Sequence, residues 1–242
     1  FLLLTNNLNG QNKLVYGIER TDQYISILKN KKIGLVTNHT SKFYVNKPIH
    51  LIDSLINRGI IIEKIFAPEH GFRGNVDNGE KIDNSVDPKT KIPIVSLYGN
   101  SRKPAPEDIS ELDLIIFDIQ DVGARFYTYL STLHYIMEAS AENGIKVVVF
   151  DRPNPNGHYI DGPVLENNAK SFRGMHTVPI VYGMTIGEYA LMINGEKWLK
   201  NKVVCDLEII EMTGYDRRKK YKLKEKPSPN LPNEKSINLY PS

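Results

Sequence analysis

Two almost uninterrupted apolar runs, each closed by an acid, constrain this chain most: Leu114-Ile115-Ile116-Phe117-Asp118 and Lys146-Val147-Val148-Val149-Phe150-Asp151. A strand with one face in water alternates apolar and polar residues. Runs like these suit strands covered on both faces, as in a parallel sheet. Between them, Phe126 to Asn143 has the length and spacing of a helix, with Gly144 as its stop. Strand, helix, strand at this spacing is a parallel βαβ unit. Upstream, Ile33–Asn38, Ile61–Ala67 and Ile94–Tyr98 read as further strands. Ile49, Ile52, Leu55 and Ile56 mark a helix that ends before Gly59. Downstream, Thr185 and Glu188 have the spacing of a capping box opening a helix to about Leu199, and Leu207–Met212 reads as a short strand. The pattern predicts an α/β fold, a Rossmann-like doubly wound and mainly parallel sheet.

The 242 residues, 40% of them hydrophobic, suffice for a real core. A net charge of +3 argues against a dedicated nucleic-acid binder. The one concentrated basic run, Arg217 to Lys224, reads as a solvated edge. No stretch approaches the roughly 18 apolar residues of a membrane-spanning helix. The single cysteine, Cys205, cannot form an internal disulfide and reads as a buried small apolar residue. Phe1-Leu2-Leu3-Leu4 reads as the tail of a cleaved export signal or simply as a cut point. The expected division is an N-terminal extension over 1–30 and a Rossmann-like catalytic domain over 31–225. A linker follows over 226–242.

In an open α/β sheet, ligands bind beyond the carboxyl ends of the strands. Four polar clusters fall there: Thr37 to Thr40, Pro68 to Gly74, Asp118 to Tyr129, and Asp151 to Pro155. Glu69 follows an apolar strand, where loss of water favours a protonated carboxyl suited to general acid work. The competing reading pairs it with Arg73. Glu80, after a turn-like Asp77-Asn78-Gly79, is the candidate second carboxylate across a scissile glycosidic bond. His70 and Asp118 complete the catalytic candidates, although Asp118 also reads as a turn cap. Asn38, Arg73, Gln120, Asp121, Arg125, Tyr127, Tyr129, Asp151, Arg152 and Asn154 are the substrate-binding candidates. Arg125 suits a substrate carboxylate or a pairing with Asp121. Tyr127 and Tyr129, two apart at a helix start, are expected to place only one ring in a cleft. His39 and His70 lack metal-ligand spacing, so no metal is expected. The glycine-rich phosphate loops and the Gly-x-Ser-x-Gly elbow are missing, which disfavours nucleotide cofactors and serine hydrolysis.

Five strings then stand out in order: Phe66-Ala67-Pro68-Glu69-His70-Gly71-Phe72-Arg73-Gly74, Phe117 to Tyr129, Asp151-Arg152-Pro153-Asn154-Pro155, Gly162-Pro163-Val164-Leu165, and Tyr182 to Glu188. The chain resembles the exo-β-N-acetylmuramidase (NamZ-like) family from about Lys31 to Ser242. The resemblance implies a Rossmann-like domain carrying the catalytic cleft, followed by a smaller domain. It implies release of terminal N-acetylmuramic acid from peptidoglycan-derived oligosaccharides without a cofactor, with Glu69 as the leading catalytic residue, and with that substrate a periplasmic or secreted bacterial protein. Asn230-Leu231-Pro232-Asn233 and Leu239-Tyr240-Pro241-Ser242 match the crossing into the second domain, so the resemblance implies that 226–242 opens a smaller, truncated C-terminal α+β domain. Tyr182 stands where relatives are expected to carry His, so it is assigned no catalytic role. The competing class is a cell-wall sugar-binding module without turnover, which would not need Glu69.

Overall fold

The two acid-closed runs lie side by side at the heart of one sheet in a computed structural model of the chain. It describes residues 13–44, 47–69, 72–73, 85–99 and 102–242. In chain order the elements are α1 (Thr21–Leu28), β1 (Lys32–Thr37), β2 (Lys42–Tyr44), β3 (Pro48–His50), α2 (Leu51–Asn57), β4 (Ile61–Ala67), β5 (Ser85–Val86) and β6 (Pro93–Ser96). There follow α3 (Pro106–Ile109), β7 (Leu114–Asp118), α4 (Tyr129–Asn143), β8 (Lys146–Phe150), α5 (Ile186–Gly195), β9 (Leu207–Ile210) and α6 (Glu234–Leu239). Seven strands form one sheet in the order β5-β6-β4-β1-β7-β8-β9, with β2 and β3 paired apart from it. The edge strand β5 is antiparallel to β6, and the other pairs are parallel. Counted in chain order, the parallel strands run 3-2-1-4-5-6, the doubly wound arrangement of the Rossmann fold. The order reverses between β1 and β7, where Thr37 pairs with Asp118.

Burial on both faces explains the apolar runs. All five residues of β7 are buried. Ile115 and Phe117, with Val147 and Val149, pack among Leu133, Ile136 and Tyr189 of α4 and α5. Leu114 and Ile116, with Val148 and Phe150, pack among Tyr24, Leu28, Leu51 and Leu55 of α1 and α2. Gly144 closes α4 in the left-handed region, φ 67°, where a side chain would be strained. Thr185 caps α5 with the reciprocal Glu188 bond that the sequence predicts.

Several boundaries differ from the sequence reading: α5 ends at Gly195 rather than near Leu199, β6 is Pro93–Ser96 and β9 stops at Ile210. Ile49 belongs to β3, so α2 begins at Leu51 and is capped by the His50 ring, which accepts from the Ile52 N–H. Helix α4 begins at Tyr129, because Ala124 to Thr128 form turns. The stretch from Lys226 also holds a helix, α6, capped by Asn233. Tyr240, just beyond it, packs on Phe126 and Tyr127 with ring centroids 5.1 and 5.8 Å apart.

Candidate active site

Past the carboxyl ends of β4, β1 and β7 lies a cavity of about 390 Å³, lined by Glu69, Tyr127, Tyr129, Arg173, Asn230 and Tyr240 among others. That size falls in the range of small-molecule sites, roughly 300–1,000 Å³. Glu69 follows β4 by two residues and is part-exposed. No described residue donates to its carboxylate. Arg73, the expected partner, is held by Asp87 at 2.9 and 2.8 Å and approaches Asp53 at 3.6 Å. Glu69 is the only acid in the described lining of the cavity.

The wall facing that acid is aromatic. Both Tyr127 and Tyr129 line the cavity, contrary to the expectation that only one would. The helical rule that sends positions two apart to different sides does not apply, since Tyr127 precedes the helix. Their rings meet edge to face at 4.8 Å. The Tyr127 hydroxyl donates to the Pro227 carbonyl at 2.8 Å, drawing the following loop over the cavity. The Tyr129 hydroxyl accepts from the Asn38 side-chain amide at 3.1 Å, and the Asn38 oxygen in turn accepts from the Thr40 N–H and hydroxyl. Burial pushes the Tyr127 and Tyr129 phenols upward, so both remain protonated donors.

The remaining candidates point inward. Asp118 is fully buried and takes the Arg152 guanidinium on both oxygens, at 2.6 and 2.9 Å, with the Ser41 hydroxyl on one of them. Neither lines the cavity, because each satisfies the other's charge in the interior. Asp151 holds the start of α5, accepting from the Gly187 N–H and the Thr185 hydroxyl. The Asn154 amide donates to the Met184 carbonyl, and Gln120 bridges the Asp121 and Pro153 carbonyls. A Cβ on Gly123, whose φ is +78°, would meet Asn154 Oδ1 at 2.2 Å, so only glycine fits that turn. Arg125, expected to meet a substrate carboxylate or Asp121, instead donates through Nη1 to the Pro163 and Val178 carbonyls and lies off the cavity. His70 and Glu80 lie outside the described residues.

Asp121 sits beneath the tyrosines. One oxygen accepts from the Tyr182 hydroxyl and the Gly123 N–H, while Oδ1 is buried with no partner among the described residues. Burial pushes its carboxyl up to about 6 from 3.8, and the bonds from Tyr182 and Gly123 oppose that rise. Between those values the folded protein holds a proton that the unfolded chain has lost. The stabilisation is therefore complete below about pH 4 and is lost as pH rises through about 6. Asp121→Asn, which keeps the shape but cannot ionise, is expected to gain on wild type as pH rises. The difference in urea-unfolding free energy should grow from near zero at about pH 3 to about 3 kcal/mol at about pH 8. A difference independent of pH would show that Asp121 ionises normally.

Strand-end reasoning did not reach Arg173, Ser228, Asn230 or Tyr240. Arg173 occupies a turn remote in sequence from any strand end. The other three carry no catalytic pattern, although Asn230 and Tyr240 fall in the strings matched to the domain crossing. A more open hollow of about 480 Å³ shares Leu231 with the cavity, but it is lined by Lys222, Lys224, Lys226 and α6 rather than by strand-end residues.

Residues 33–235 match the family described as exo-beta-N-acetylmuramidase NamZ, N-terminal. The chain is 42% identical over 226 residues to the peptidoglycan beta-N-acetylmuramidase NamZ of Bacillus subtilis (strain 168). That alignment covers 90% of this chain and 53% of the relative, so the chain spans about half the length of that curated protein. Two solved DUF1343 family proteins of Bacteroides fragilis NCTC 9343 are similar throughout. One has a TM-score of 0.85 at 46% identity, covering 95% of this chain and 60% of its own. The other has a TM-score of 0.85 at 38% identity, covering 94% and 58%. A family match over most of the chain, carried by the fold and by the strings around the cavity, means that the chain belongs to the exo-beta-N-acetylmuramidase NamZ family.

Proposed function

We propose that this chain carries the hydrolytic centre of an exo-acting glycosidase that removes terminal N-acetylmuramic acid from the non-reducing end of peptidoglycan fragments. The observation that carries the reading is Glu69, whose carboxyl has no partner among the described residues and faces tyrosine rings in a sugar-sized cavity at the carboxyl edge of the sheet. Glu69 protonates the glycosidic oxygen as the bond to C1 breaks, water takes the place of the departing sugar at C1, and the part-exposed Tyr240 ring offers the bound sugar an apolar face. The name and activity of the Bacillus subtilis relative support the substrate class. Peptidoglycan lies outside the cytoplasmic membrane, so the reading carries a periplasmic or secreted location and a role in cell-wall turnover with it.

The test is hydrolysis of a chromogenic β-glycoside of N-acetylmuramic acid, with the N-acetylglucosamine glycoside alongside. Release from the first alone is the expected outcome. A folded protein that binds the sugars but releases chromogen from neither would be a binding module, and Glu69 would lose its role.

A further inference from the structure

The cavity has two charged residues among its described lining, Glu69 and Arg173. Arg173 is exposed, and no described residue accepts from its guanidinium. Its backbone, by contrast, is fixed. Ser171 and Gly174 exchange N–H to carbonyl bonds at 2.9 Å around it, and the Arg173 N–H donates to the Ser171 hydroxyl at 3.2 Å. The preceding Phe172 is anchored on α4: its carbonyl accepts from the Ser131 hydroxyl, and its ring stacks on Tyr135 at 6.1 Å. Tyr129 of the same helix lines the cavity, so one rigid element sets both the aromatic wall and the arginine. At the Tyr240 hydroxyl, raised chiefly by burial, the charge of Glu69 adds to the rise and that of Arg173 opposes it. The acid and the cation thus act on one point of the wall.

We propose that Arg173 reads the lactyl carboxylate of N-acetylmuramic acid, and so sets the preference for this sugar over N-acetylglucosamine. This rests on the hydrolase reading given above. The two sugars differ by the lactyl ether on O3, which carries one carboxylate. A planar guanidinium with no acceptor among the described residues offers that group two parallel hydrogen bonds. The acid would stand beside the oxygen on C1 and the cation beside the substituent on O3, on two sides of one ring. Arg125 does not line the cavity, and its Nη1 is taken by the Pro163 and Val178 carbonyls.

The experiment compares wild type, Arg173→Met and Arg173→Lys on three β-glycosides: N-acetylmuramic acid, its lactyl methyl ester, and N-acetylglucosamine. Binding of the free sugars is followed by calorimetry. Arg173→Met is expected to raise KM for the acid roughly ten- to a hundredfold with kcat changed little, the span of a hydrogen bond to a charged group. Wild type should lose as much on the ester, while Arg173→Met should treat acid and ester alike. Arg173→Lys should recover part of the loss, since it keeps the charge without the fork. An unchanged KM for the acid in Arg173→Met, or an equal loss on acid and ester, overturns the assignment while leaving the hydrolase intact. If wild type cleaves neither glycoside yet binds N-acetylmuramic acid in an Arg173-dependent way, the hydrolase reading falls and the carboxylate assignment stands.

Discussion

Glu69→Gln is expected to lower kcat/KM for an N-acetylmuramic acid glycoside by about a thousandfold while leaving the melting temperature unchanged. The amide matches the carboxyl in size but has no proton to give, and positioned acid–base groups contribute roughly 10²- to 10⁴-fold to rate. Stability should hold because no described residue donates to the Glu69 carboxylate and the side chain is part-exposed. The loss should be greatest for a poor leaving group, such as a sugar alcohol, and smaller for a nitrophenolate that departs without a proton. Rates read on both glycosides therefore separate a general acid from a residue that merely holds the sugar. Turnover within a few fold of wild type on the poor leaving group would remove Glu69 from the chemistry.

Breaking the Asp118–Arg152 pair should have the largest effect on stability. The two side chains are 0% and 3% exposed and meet at 2.6 Å. Arg152→Met would leave a buried carboxylate with only the Ser41 hydroxyl, and Asp118→Ala would leave a buried guanidinium without its counter-charge. Each is expected to cost about 3–5 kcal/mol, the usual loss when one partner of a buried pair is removed. For a chain of this length that corresponds to a fall in melting temperature of roughly 10 °C. The double variant should lose less than the sum, because it leaves no orphan charge. Additive losses in urea unfolding would show that the two groups are not coupled. Wild-type stability in Asp118→Ala, together with lost turnover, would return Asp118 to the catalytic machinery.

Those two acids illustrate what local pattern can and cannot reveal. Asp118 and Glu69 each follow an apolar strand, and nothing in their immediate neighbours tells them apart. Asp118 meets Arg152, 34 residues away, from the adjacent strand end, and the pair closes on itself. Glu69 has no such partner among the described residues, since Arg73 is drawn off by Asp87, and its side chain is left to the cavity. Arg125 likewise lies in the right string but turns its Nη1 to carbonyls brought in from the 163–178 segment and stays off the cavity. Tyr127 reached the cavity only because the helix starts later than its spacing suggested.

By itself the sequence missed the short strands β2, β3 and β5 but determined the six parallel strands, the burial of β7 and β8 on both faces, the parallel crossovers and the family. Those follow from periodicity and from strings of adjacent residues, which act through short-range backbone geometry. It also narrowed the chemistry to the carboxyl edge of the sheet, where Glu69, Tyr127 and Tyr129 do lie. Only the tertiary structure decided which polar residues pair in the interior and which remain free. It alone brought Arg173, Asn230 and Tyr240 to the same cavity as Glu69. A side chain's availability depends on whether a partner arrives from a distant part of the chain, and no local pattern of residues encodes that.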